Sequence, residues 1–210
     1  REVEECSEHW GVTPVRLLYD LGLLDLHVLA AHCVHLTEED MDIIKEKGVH
    51  VSHCPASNLK LASGFAPVAV LHERGVNVAL GTDGPASNNR LSIIREMGLT
   101  ALVSKGIAED PTRIPAELAL KMATVNGARA LGMDGRLGTL KQGYKADIVL
   151  IDVEGPYYRP WWDNAAVHLV YGGQAGDVDT VWVDGQMLME NKQLRSIDLE
   201  RVYYEVNKIR

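Results

Sequence analysis

The chain has 210 residues, 46% of them hydrophobic and 24% charged, enough apolar content for a core in one large domain or one and a half. Its net charge of −8 argues against nucleic acid or an anionic membrane as the main partner, and no apolar run reaches the roughly 18 residues of a spanning helix. Cys6, Cys33 and Cys54 are an odd set without CxxC spacing, which favours a reducing compartment, the cytoplasm, over a disulfide framework or a structural zinc site.

The opening REVEECSEHW reads as a helix already in mid-course, with Val3, Cys6 and Trp10 on one face. There is no initiator Met and no signal-peptide pattern, so a piece of a longer protein is expected. PVRLLYDL (14–21) starts a second helix at Pro14. From there the rhythm is strand, loop, helix. HVLAAH (27–32) is a continuous apolar run, the pattern of a strand buried on both faces. Thr37 caps a helix over 38–47 and Gly48 stops it. VHVSH (49–53) is the next strand, CPASNLKLASG reads as a loop, and a helix near 66–74 ends at Gly75. VNVALG (76–81) is a third strand, followed by helices over 90–104 and from Pro115 through ATVNGARAL. Such alternation predicts parallel strands with right-handed crossovers, an α/β fold.

Near Gly135 the character changes. The spacing predicts a strand over 147–153, then a hairpin of 179–183 and 186–190 around Asp184-Gly185, with no helix between these strands. A closing helix capped by Asp198 follows. The expected division is 1–134 for the α/β part, 135–195 for a small β domain and 196–210 for the last helix.

Each strand of the first part delivers one polar residue at its carboxyl end: His32, His53 and Asp83. In parallel α/β folds that end carries ligands and catalytic groups. Asp83 lies between Gly81 and Gly84, where backbone can approach a ligand closely. An aspartate there can bind a metal and accept a proton, or it can be a turn residue capping the next helix. His32 and His53 have ordinary hydrogen-bonded readings as well, and His35 falls on the other side of the pleat from His32. His9, His27, His50, His72 and His168 read as surface or packing residues. One of Ser87, Asn88 and Asn89 is expected to cap helix 90–104, turning its free N–H groups toward the same mouth.

Taken together, AAHCVHL, VSHCPASNLKLASGFAPV, VALGTDGPASNN and GTLKQGYKADIVLID closely resemble the amidohydrolase superfamily. The nearest branch is the 5-methylthioadenosine/S-adenosylhomocysteine deaminases, with the related triazine chlorohydrolases. The resemblance covers nearly the whole chain. It implies the carboxyl-terminal part of a metal-dependent (β/α)8 barrel plus part of a small β-sandwich, carrying one divalent metal, zinc or iron. It implies that His32 is the sixth-strand histidine that orients the attacking water, that Asp83 is the eighth-strand metal ligand and proton acceptor, and that Ser87 contacts a nucleoside. His53 then ends the seventh strand, beside the substrate. The family's HxH pair, its fifth-strand His and its proton-shuttling Glu have no counterpart here, and a single carboxylate cannot hold a catalytic zinc. The implied activity is hydrolytic deamination of an adenine nucleoside. The alternatives are other C–N or C–Cl hydrolyses on nitrogen heterocycles, or an inactive fragment lacking the remaining ligands. The implied partner is a small molecule, and family analogy adds a homo-oligomer.

Overall fold

A computed structural model describes residues 1–161 and 163–209. Arg210, the last residue of the expected terminal helix, lies outside the described residues.

Local chemistry sets most of the elements. Helix α1 (Glu2–Trp10) carries Glu2, Glu4 and Glu5 in its first turn, where the helix dipole favours negative charge, and stops at Gly11 with φ 73°. Helix α2 (Pro14–Asp20) begins with Pro14 at a position that needs no N–H donor, and the Thr13 side chain accepts from Arg16 N–H at 3.1 Å. Helix α3 (Glu38–Glu46) opens with a reciprocal cap: Asp40 N–H donates to Thr37 Oγ1 at 3.1 Å and Thr37 N–H to Asp40 Oδ2 at 2.9 Å.

Strands β1 (Leu29–Ala31), β2 (His50–His53) and β3 (Val78–Leu80) form a parallel sheet in chain order. The register pairs Ala30 with Val51 and Val51 with Val78. Parallel pairing demands crossovers, supplied by α3 between β1 and β2, and by α4 (Pro55–Lys60) and α5 (Val68–Glu73) between β2 and β3. Val51, Val78 and Leu71 are buried together with Ile44, Met97, Ala119 and Met122 in one apolar cluster. Each buried Val or Leu contributes about 1.5–3 kcal/mol, so this cluster holds the sheet against its helices.

Helices α6 (Ile93–Ala108), α7 (Ala116–Ala123) and α8 (Val125–Ala130) pack over β3. The expected single helix from Pro115 is broken at Thr124, whose φ −126° and ψ −93° lie outside helical geometry. The carboxyl-terminal part holds an antiparallel sheet, β4 (Ile148–Ile151), β5 (Val178–Val183), β6 (Gln186–Glu190) and β7 (Gln193–Leu194). The β5–β6 turn puts Asp184 at φ 50° and Gly185 at φ 80°, the paired positive angles that match the twist of a two-residue hairpin. Helix α10 (Leu199–Asn207) is capped by Asp198, which accepts from Arg201 N–H at 3.0 Å.

Three further expectations need correction. The stretch CPASNLKLASG is not all loop, because Pro55–Lys60 form α4. The strands after Gly135 do have a helix between them, α9 (Ala165–Gly172), which packs against α6 and α7. It comes so close to α6 that a Cβ on Gly98 would sit 2.9 Å from the Val170 carbonyl oxygen. Strand β1 is not buried on both faces, since it is an edge strand and Leu29 is 41% exposed. Among the described residues no helix is long and apolar enough to cross a membrane.

Candidate active site

The parallel sheet brings its polar strand ends to one rim. The ladder continues one residue beyond β1 and β3: His32 N–H donates to Ser52 O and Gly81 N–H to His53 O, each at 2.9 Å. The backbone then leaves the strand region abruptly. His32 has φ 67°, Cys33 φ 49° and Asp83 φ 59°, left-handed values that L-residues other than Gly rarely adopt. Such strain persists where surrounding contacts over-determine it, and it clusters at functional sites. Gly81 has a separate constraint, because a Cβ there would fall 2.6 Å from Ser52 Oγ and 3.1 Å from Cys54 Sγ.

Asp83 is held by three donors. Ser57 Oγ and Ser87 Oγ each donate to Oδ2 at 2.7 Å, and Gly84 N–H donates to Oδ1 at 2.7 Å. Ser57 first, then Ser87 and the Gly84 N–H, bring the carboxyl pKa down to about 2, so Asp83 is ionised at any working pH. His32 stands opposite. Its Nδ1 lies 2.8 Å from Asn58 Oδ1 and its Nε2 lies 3.9 Å from Asp83 Oδ2. The structure therefore brings His32, Asp83 and Ser87 together.

His53 is placed differently. Its ring is 0% exposed, edge-on to Phe65 with centroids 4.7 Å apart, and neither ring nitrogen has a hydrogen-bond partner among the described residues. Burial first, and then the nearby His32, push its pKa down to about 3. A histidine kept neutral in the fold but free to protonate near pH ~6.5 when unfolded contributes stability that is complete above about pH 6.5 and falls away as the pH drops toward 3. Between about pH 7.5 and pH 5 this group alone is expected to remove about 2 kcal/mol from the unfolding free energy. Urea denaturation at the two pH values measures it. A His53→Leu variant should lose most of that slope, and equal slopes in the two proteins would refute the assignment.

Helix α6 starts at Ile93 and is capped by Ser92, which accepts from Arg95 N–H at 3.4 Å, not by Ser87, Asn88 or Asn89. The side chains of Ser87 and Asn88 are engaged elsewhere. Ser87 serves Asp83, while Asn88 Nδ2 donates to Thr82 O at 2.9 Å and to Glu96 Oε1 at 2.8 Å.

Sequence reasoning missed three residues here: Ser57, Asn58 and Glu96. Glu96 is 0% exposed and accepts from Ala56 N–H at 2.9 Å through its other oxygen. Burial pushes its carboxyl above the usual range, against the pull of the Ala56 N–H and the Asn88 amide. The run Ala56, Ser57 and Asn58, in the first turns of α4, thus ties Glu96, Asp83 and His32 into one lattice. Its only signal in the sequence is Pro55 followed by small and polar residues, which also describes a turn.

Among the described residues no three or more His, Cys, Asp or Glu side chains are placed to hold a metal ion together. Asp83 is a competent oxygen ligand, but these residues alone do not complete a metal centre.

The chain matches the Amidohydrolase family over residues 1–188. It is 53% identical over 207 residues to a 5-methylthioadenosine/S-adenosylhomocysteine deaminase of Moorella thermoacetica, covering 99% of this chain and 48% of that protein. It is 51% identical over 208 residues to the protein of the same name from Caldanaerobacter subterraneus subsp. tengcongensis, with the same two shares. Among solved structures, an adenosine deaminase from Xanthomonas campestris with bound zinc superposes with a TM-score of 0.94 at 36% identity, over 99% of this chain and 47% of that one. An atrazine chlorohydrolase from Arthrobacter aurescens TC1 complexed with zinc gives a TM-score of 0.88 at 30% identity, over 99% and 46%. The chain spans about half the length of the curated relatives it matches.

Proposed function

The chain belongs to the amidohydrolase family, and we propose that it supplies the carboxyl-terminal part of a hydrolytic deaminase acting on adenine nucleosides of the 5-methylthioadenosine/S-adenosylhomocysteine type. In this reading residues 1–134 contribute to a (β/α)8 barrel, 135–195 to a composite β-sandwich and 196–210 a closing helix. Three parallel strands do not close a barrel, so the complete enzyme needs strands beyond these. The observation that carries the reading is the meeting of His32 Nε2 and Asp83 Oδ2, 3.9 Å apart, at the carboxyl rim of that sheet. The names of the relatives at about half identity support the substrate class.

The overall reaction adds water across C6 of the purine and releases ammonia, leaving an inosine-type product. Asp83, ionised in the resting site, accepts the proton that the attacking water loses and returns it to the departing ammonia. His32 orients the same water from the opposite side. Ser87 already donates to Asp83 and stands at the mouth, where a nucleoside hydroxyl can reach it. The proposal includes one divalent ion, zinc as in the two solved neighbours or iron, with Asp83 as its ligand from these residues. The other ligands would come from outside the described residues.

The test is ammonia release by the complete protein from 5-methylthioadenosine and S-adenosylhomocysteine, beside guanine, cytosine and a chlorotriazine. Turnover of the two nucleosides at a kcat/KM of about 10⁴ M⁻¹s⁻¹ or more is the expected result. The likeness to the atrazine chlorohydrolase favours a second reading, hydrolytic displacement of chloride from a triazine. Chloride release without nucleoside deamination would replace the first reading with the second.

A further inference from the structure

A histidine beside an ionised carboxylate does different work depending on which ring nitrogen carries the proton. We propose that Asn58 is the positioning residue that fixes His32 in its Nδ1–H tautomer and leaves Nε2 as a proton acceptor facing the rim. The proposal rests on the deaminase reading for its consequence in turnover, but not for its geometry.

The backbone of His32 is already pinned, by its ladder bond to Ser52 O and by its left-handed φ of 67°. What remains free is the ring. Asn58 is 2% exposed and sits on α4, directly after β2, with its Oδ1 2.8 Å from His32 Nδ1. With Oδ1 turned to the ring, as it is here, the contact requires the proton on Nδ1, because a carbonyl oxygen accepts only; the other end of the amide, Nδ2, is buried with no hydrogen-bond partner among the described residues.

The other side of the ring gives an independent argument. If Nε2 carried the proton, Asp83 would be its natural acceptor. Yet the distance is 3.9 Å, well beyond a hydrogen bond, and Oδ2 already accepts from Ser57 and Ser87 while Oδ1 accepts from Gly84 N–H. An N–H on Nε2 would face a carboxylate whose nearer oxygen is taken. A lone pair there instead leaves room for a donor placed between ring and carboxylate, which is what a water about to be deprotonated provides. His32 thus acts as an acceptor that aligns the water, with Asp83 receiving its proton.

The position of Asn58 is fixed in turn. Its neighbour Ser57 donates to Asp83, and Ala56 N–H donates to the buried Glu96 carboxylate. One short helix therefore sets both rim groups at once. A group that holds an imidazole in one tautomer without touching the reacting atoms is an established device of hydrolytic sites.

The test uses the complete enzyme and two nearly isosteric replacements. Asn58→Leu removes the acceptor and is expected to lower kcat about 10–100-fold while KM moves much less. Asn58→Asp can only accept, so it is expected to keep kcat within about 3-fold of the native value. The spectroscopic readout is the imidazole ¹⁵N spectrum, with His32 assigned by the signals lost in His32→Gln. The native protein should show Nδ1 protonated and Nε2 bare, and Asn58→Leu should shift that population. Protonation at Nε2 in the native protein would overturn the proposal. So would an Asn58→Asp variant as impaired as Asn58→Leu with unchanged His32 signals. If the native enzyme deaminates neither nucleoside, the functional reading fails and the native spectrum still decides the tautomer.

Discussion

Asp83→Ala in the complete enzyme is expected to lower kcat by about 10³-fold or more while the protein stays folded, because in the proposed mechanism one side chain both accepts the proton and anchors the rim. The carboxylate stands at the edge of the structure rather than in the core cluster, so its loss opens no large cavity. Two local penalties remain. The buried Ser57 hydroxyl loses its acceptor, and an alanine would have to hold a φ of 59° that Asp tolerates better. Asp83→Asn separates charge from shape, since it keeps the turn preference and nearly the volume but has no carboxylate to receive a proton. Its kcat is expected to fall at least about 10²-fold. Ammonia release at saturating nucleoside, read beside circular dichroism and bound metal, checks both variants. An Asp83→Asn enzyme within about twofold of native turnover and with full metal content would remove Asp83 from the mechanism.

The pair at the heart of that expectation was legible in the sequence for a simple reason. A strand buried by its neighbours is written as an apolar run, and a polar residue where the run stops marks the strand end. His32 and Asp83 both announce themselves this way. So does His53, but the pattern does not say which side of the sheet a terminal side chain takes, and His53 turns inward against Phe65. What holds the pair was not legible. Helix α4 has six residues, too few for a 3.6-residue period to declare itself, and Pro, Ser and Asn suit a turn equally well. Ser87 and Asn88 are good caps by composition, yet Asp83 and Glu96 recruit both, and Ser92 caps α6 instead. Helix α9 is short and largely apolar, and Gly172-Gly173 at its end reads as readily as a loop between strands. The exposure of β1 depends on what lies beside it, which its own residues cannot encode. In each case a tertiary partner overrode a local preference.

Glu96 is the strongest instance of such a partner, and its removal should be the most damaging single change to stability at the site. Two buried donors converge on it, Ala56 N–H at 2.9 Å and Asn88 Nδ2 at 2.8 Å. Only a group with two free acceptor oxygens satisfies both. Glu96→Leu leaves both donors without this partner, at about 1–3 kcal/mol for each buried polar group. Removing the charge relieves part of that, since burial already disfavours the ionised carboxyl. The net expectation is a loss of about 2–4 kcal/mol in chemical denaturation at neutral pH. Glu96→Gln should fall between, because its amide NH₂ must face one of the two donors. A double-mutant cycle sharpens the argument. In Glu96→Gln with Asn88→Asp the polarity of that contact is reversed, so the new amide can donate to the new carboxylate while its oxygen still accepts from Ala56 N–H. The Asn88 donation to Thr82 O is lost, so recovery is partial, with a favourable coupling on the order of 1 kcal/mol. Additive single effects, or a Glu96→Leu protein within about 0.5 kcal/mol of native, would mean that the carboxylate does not hold α4 to the loop carrying Asp83.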